Sequence, residues 1–176
     1  MIIYGSKALQ KALKLNKTDF VTPEQLAIED NPFYYGWHGH IAKVDRRNTI
    51  VLMNDKTMYC MLFRNKLPRN KDKFAELVME ALPYTFEVGN INADEISTYM
   101  KSVDSIVFAE KADRQITGNI TRMILDMGYR WDFAWRENET IQAYEAYKQN
   151  RLLRKIGKDY IVPFEEMLKA LCGIHE

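Results

Sequence analysis

The chain is poor in the residues that staple or punctuate a fold. Its 176 residues include two cysteines, Cys60 and Cys172, five prolines and eight glycines. Two cysteines so far apart, with no CxxC spacing, argue against a disulfide scaffold and fit free thiols in a reducing compartment. No apolar run approaches the roughly 20 residues that cross a bilayer. The opening "MIIYGSKALQKALKL" turns amphipathic at once, without the apolar stretch of a secretory signal. A cytoplasmic protein with no membrane partner is expected. Also missing are a Gly-rich phosphate loop, a Walker lysine, a GxSxG elbow and an HExxH pair, so the familiar hydrolytic and phosphoryl-transfer signatures are not present. There is no internal repeat, low-complexity tract or Gly/Ser linker.

What is there is an ordinary globular composition, 47% hydrophobic and 28% charged. The length suits one domain over residues 1–176 with a full core. The net charge of +1 conceals an asymmetry. Nine basic residues face three acidic ones between Lys43 and Lys73, and seven acidic residues face Lys101 alone between Glu76 and Glu110. The simpler expectation is that these lobes meet in the fold and neutralise each other. Left apart, they would steer a charged partner or pair one copy of the chain with another.

Periodicity predicts a single α+β domain, with helices on an antiparallel β-meander sheet of about four to five strands. "MIIY" reads as a strand, and Ser6 caps a helix through "KALQKALKL". "TPEQLAIED" carries a capping pattern from Thr22. Trp37–Val44, Asn48–Asn54 and Thr57–Phe63 are strand-length runs joined by "DRRN" and "DK", spacings that return a chain antiparallel. Asn70 caps a helix that Pro83 is expected to end. Asn92 with Glu95 forms a further cap, and "DSIVFAEK" reads as a fourth core strand. Ile120, Met123, Ile124 and Met127 share a helical face, with Gly128 placed as a C-cap. Residues 137–154 read as helix, and a last helix starts at Pro163.

Three places could carry chemistry. His38 and His40 share one face of a strand, with Trp37 on the other. Two imidazoles are short of the three or four ligands a zinc needs, and only Cys60 or His175 could add one. Solvated or hydrogen-bonded edge histidines are therefore expected, with no metal and no cofactor. Arg46 and Arg47 fall at a hairpin tip, with Lys43, Arg64, Lys66 and Arg69 nearby, as a basic rim would need. A solvated turn is the simpler role there, anion or nucleic-acid contact the functional one. Asn54 and Asp55 occupy the next turn, where Asx residues most often cap their own backbone. Finally, "GYRWDFAWRENE" interleaves Arg130, Trp131 and Trp135. Such a run serves as a core edge, a protein interface or a base-stacking groove.

In order along the chain, "SKALQKALKL", "WHGHIAKVDRRNTIVLMNDKT", "FAELVMEAL", "ADRQITGNITRMI" and "NRLLRKIGKDYIVPFEEML" resemble an uncharacterised family of small bacterial proteins, a domain of unknown function. The likeness is most specific at Trp37-His38, Arg46-Arg47 and Asn54-Asp55, a "WH…RR…ND" pattern, and departs from it over residues 129–139. It implies a bacterial or phage cytoplasmic protein and brings no activity or cofactor. The resulting expectation is a non-enzymatic binding or regulatory protein with a protein partner or a second copy of itself. The alternatives are a small enzyme on nucleic acid or a phosphate-containing substrate, with His38, His40, Arg46, Arg47 and Asp55 converging, and a salt-dependent RNA- or DNA-binding module.

Overall fold

The computed structural model describes residues 1–22, 36–110, 113–129 and 134–173. Its centre is a five-stranded sheet in the order β4-β3-β2-β1-β5. The strands are β1 (Ile2–Gly5), β2 (Gly36–Val44), β3 (Arg47–Asn54), β4 (Cys60–Arg64) and β5 (Val107–Ala109). β2, β3 and β4 form the expected antiparallel meander, with Val44 opposite Arg47 and Met53 opposite Cys60. β1, however, runs parallel to both β2 and β5. The sheet is mixed, which corrects the purely antiparallel expectation. The cause is connection length: a two-residue turn returns a strand antiparallel, whereas the long segments before β2 and β5 leave room for parallel crossovers. Residue alternation reports the face a side chain takes and is blind to strand direction.

Helices cover both faces. On one side lie α1 (Lys7–Ala12), α2 (Lys71–Val88), α3 (Ala93–Lys101) and α6 (Pro163–Cys172). They bury Leu9, Phe74, Val78, Phe86, Tyr99 and Met167 against Ile3, Trp37, Ile50, Leu52 and Phe63. α1 starts where Ser6 Oγ accepts the N–H of Leu9 at 3.3 Å, and it lies close over β2 because position 39 is glycine. A Cβ there would meet Leu9 at 2.5 Å. On the other side α4 (Arg114–Tyr129) covers Val51, Met53 and Leu62, while α5 (Ala143–Asn150) lies along β4 and buries Ala146 in this cluster and Ala143 in the first. Ile120, Met123 and Met127 are buried there, each contributing roughly 1.5–3 kcal/mol. With both faces covered, β3 is buried without a break from Thr49 to Asn54, as its continuous apolar run requires.

Several boundaries differ from the sequence expectation. The third strand of the meander starts at Cys60 rather than Thr57, because Asn54 Oδ1 holds the Lys56 and Thr57 amides in the turn. α2 begins at Asn70, whose side chain accepts from the Lys73 N–H at 2.9 Å, but it continues through Pro83 to Val88. The turns beyond the proline bury Thr85 and Phe86, and Thr85 Oγ1 bonds back to the Ala81 carbonyl at 2.7 Å. Gly128 lies inside α4 rather than capping it. The span 137–154 is helical only over α5, and a two-stranded hairpin of β6 (Arg154–Ile156) and β7 (Asp159–Ile161) follows. Gly157 takes φ +59° in its turn, the left-handed region that glycine enters without strain. The helix expected from Thr22 falls, from Pro23 onward, outside the described residues, as do Arg130, Trp131 and His175.

Candidate functional site

β2 carries His38 toward α4 and Trp37 toward α3. His38 is buried and stacked on Tyr4, ring centroids 4.9 Å apart. Its Nε2 accepts the backbone N–H of Asp113 at 2.5 Å, which leaves the ring proton on Nδ1, and Nδ1 donates to Asp55 Oδ1 at 2.5 Å. Asp113 in turn caps α4, its Oδ1 accepting from the N–H groups of Gln115 (2.7 Å) and Ile116 (3.2 Å). Burial pushes the Asp55 carboxyl above its ordinary value, and the His38 contact pulls it back. A histidine held by a carboxylate is the arrangement of a general base, but a general base needs its second nitrogen free for substrate. Here an amide occupies it. The pair pins the start of α4 to the sheet and to the β3–β4 turn.

His40, on the same face, is half-buried, and its Nδ1 has no hydrogen-bond partner among the described residues. Burial lowers its pKa. Among the described residues no three His, Cys, Asp or Glu side chains cluster as a metal site.

Two more of the sequence candidates are, like His38, closed off from solvent. Trp37 is fully buried and donates from Nε1 to the Tyr99 hydroxyl at 3.3 Å. Asn54 is also fully buried, and its Oδ1 accepts from Lys56 N (3.1 Å), Thr57 N (3.0 Å) and Thr57 Oγ1 (2.9 Å). It closes the turn in which Asp55 sits.

The arginines separate. The hairpin loop is two residues, Asp45 and Arg46, with φ +47° and +66°, the paired left-handed conformation that matches strand twist. Arg46 is therefore the tip, and Arg47 is the first residue of β3. At about 3.3 Å per residue, the six steps from His38 to Val44 put this tip about 20 Å from His38. The expected convergence of His38, His40, Asp55, Arg46 and Arg47 does not form. Arg64 also leaves the rim: it is buried, bonds Thr49 Oγ1 at 3.3 Å, and lies 4.3 Å over the Trp135 ring. Trp135 donates to Asp45 Oδ2 at 3.0 Å. It thus braces the back of the hairpin.

What the tip does frame is an open cleft of about 600 Å³. Arg47, Asn48 and Ile41 line it from β2–β3, Asn65, Leu67, Pro68 and Arg69 from the segment after β4, and Glu137 and Ala12 close it. Asn65, which the sequence reading passed over, organises it. Its Oδ1 accepts from Arg47 Nη1 at 3.2 Å, and its Nδ2 donates to the carbonyls of Arg136 (3.1 Å) and Glu139 (2.7 Å). Asn65 takes φ +70°, a conformation Asn tolerates better than most residues. An Asn directly after a strand and before "KLPRN" was the available signal. Glu137 lies 3.6 Å from Arg47, both exposed, an ion pair of little energetic weight.

A family model described as domain of unknown function DUF6933 matches residues 2–166. The chain belongs to the DUF6933 family. No curated protein and no solved structure matches it. The DUF6933 match spans the hairpin, the cleft and the His38 clip together. Among the described residues, the ion pair that joins residues 43–73 to residues 76–110 is Lys73–Glu76, three residues apart on α2. The expected mutual neutralisation is not made by ion pairs. Lys43, Arg46, Lys66 and Arg69 are exposed and enter no ion pair among the described residues. No helix among the described residues is long and apolar enough to cross a membrane.

Proposed function

We propose that this protein is a binding protein rather than a catalyst, and that it takes an acidic segment of a partner protein into the Arg47–Arg69 cleft. The observation that carries this reading is the uncompensated rim. Exposed Arg69 lines a cleft that also holds Asn48, Asn65 and an Arg47 held in place by Asn65, and exposed Lys43, Arg46 and Lys66 lie within two residues of its lining along the chain. Guanidinium groups grip carboxylates through paired hydrogen bonds, and the Asn48 carboxamide can take the peptide's backbone groups while Asn65 holds Arg47. Ile41, Leu67 and Pro68 add apolar wall, which suits peptide side chains between the acids. Glu137 holds Arg47 only through an exposed ion pair at 3.6 Å, which an incoming anion can replace at little cost. A binding role also agrees with His38, whose ring nitrogens are both engaged.

The test is fluorescence anisotropy with a labelled oligoglutamate peptide and a labelled DNA single strand of equal charge. The peptide binds more tightly, and its binding weakens as salt rises. Arg47→Glu combined with Arg69→Glu lowers affinity about tenfold or more, because each charge-assisted hydrogen bond is worth about 1.5–3 kcal/mol. An unaltered affinity in that double variant sinks the proposal. So does a preference for DNA with the steep salt dependence of phosphate contacts.

A further inference from the structure

The side of the molecule bearing the β6–β7 hairpin holds a buried cation that makes no ion pair among the described residues. Arg154 is 8% exposed, and its only side-chain hydrogen bond among the described residues goes from Nη2 to Gln149 Oε1 at 2.7 Å. No carboxylate forms an ion pair with it among the described residues. Giving Gln149's oxygen to Arg154 leaves the Gln149 Nε2 buried without an acceptor. Taking a guanidinium out of water is costly unless an anion meets it, so a native fold rarely leaves one in this state. Burial pulls its pKa down, and the Asp126 carboxylate nearby only partly offsets this.

The space beside Arg154 has the shape and charge to supply the missing anion. A cavity of about 210 Å³ lies between α4 and the hairpin, lined by Arg122, Asp126, Arg154, Lys155 and Tyr160. Three cations face one carboxylate there, an excess of two positive charges. The cavity opens into a second of about 280 Å³ that shares Asn119, Arg122 and Lys155 and is floored by Gly118 and Gly157. Above both glycines the space where a Cβ would sit is empty. Asn119 Nδ2 donates to the Lys155 carbonyl at 3.3 Å, which ties the helix to the hairpin and holds the groove's width. None of these residues lines the Arg47–Arg69 cleft.

We propose that this groove binds a phosphate group, free or as a monoester, with the phosphate on Arg154, Arg122 and Lys155 and any organic body over Gly118 and Gly157. A phosphate dianion matches the excess charge, and its several oxygens can take two guanidinium forks and an ammonium at once. A lone carboxylate would leave one of the three cations unmet.

The experiment is calorimetric and thermal titration of the whole chain with inorganic phosphate and with glycerol phosphate, at ionic strength matched by sodium chloride. Wild type shows saturable binding and a rising Tm, because a ligand that binds only the folded state stabilises it. Arg154→Met unfolds no earlier than wild type without ligand, since an unpaired buried charge has been removed, yet binds phosphate about tenfold or more weakly. Exposed Arg122→Gln gives a second reading with little risk to the fold and also weakens binding. Gly118→Leu fills the empty space with a better helix former. It keeps the response to inorganic phosphate and loses any preference for the ester. Absence of saturable binding in wild type overturns the proposal. Full binding in Arg154→Met, or loss of binding on Arg47→Glu with Arg69→Glu, overturns it too by placing the anion elsewhere. An ester preference that survives Gly118→Leu overturns the placement of the organic body.

Discussion

Replacing His38 with alanine removes three contacts at once, and their sum can be worked out. The bond to Asp55 involves a carboxylate, a class worth about 1.5–3 kcal/mol, and the Asp113 amide is left without its acceptor, at about 1–3 kcal/mol. The stacked Tyr4 ring adds roughly 0.5–1.5 kcal/mol. Contributions in one network are not additive, so an overall loss of about 3–6 kcal/mol is expected, a large share of the roughly 5–15 kcal/mol that holds an ordinary domain. Urea unfolding followed by circular dichroism measures it. His38→Asn, which retains a donor toward Asp55, and His38→Gln, which retains an acceptor toward Asp113, should each fall between alanine and wild type. Hydrogen exchange gives a local reading: the amides of Gln115 and Ile116, capped by Asp113, should lose protection first in the alanine variant. If His38→Ala unfolds within about 1 kcal/mol of wild type, surface-like behaviour for this site, the clip assigned to His38 is wrong. Its pairing with Asp55 would then need a functional explanation.

Two other outcomes follow from single residues. Arg46 holds φ +66° at the hairpin tip. Arg46→Gly removes a left-handed penalty of about 1–2 kcal/mol against roughly 0.5–1 kcal/mol of added chain entropy, so a gain of about 0.5–1 kcal/mol in chemical denaturation is expected; a loss would contradict the turn geometry. His40 is folded with its pKa below the ordinary value because of burial. The unfolded chain then binds more protons below about pH 6.5, and stability present above that pH is lost as pH falls through the folded value. His40→Gln, neutral throughout, should flatten that part of the stability–pH curve. An unchanged curve would refute the assignment.

Most elements were legible along the chain because their signals are local. Ser6, Asn70 and Asn92 each cap a helix with their own side chain, and the short "DR" and "DK" spacers permit only antiparallel return. Alternation on β2 placed His38 and His40 opposite Trp37. The errors have one character: each depends on what lies across space. Pro83 ends a helix by itself, yet burial of Thr85 and Phe86 carries α2 past it. β6 and β7 are three residues each, too short for a period to register. Arg64 looked like a rim cation and is instead roofed by Trp135, seventy-one residues on.

The sequence by itself determined the meander and the faces its side chains take, because pleat and turn length fix these within a few residues. It also determined that basic residues concentrate along the chain between Lys43 and Lys73. Tertiary structure alone decided that β1 runs parallel between β2 and β5, that an amide occupies His38's second nitrogen, and that Asn65 anchors Arg47 in an open cleft. It alone left Arg154 buried with no ion pair among the described residues. Each of these joins groups distant in sequence, and the energy of such a contact depends on burial and distance, which no local pattern encodes.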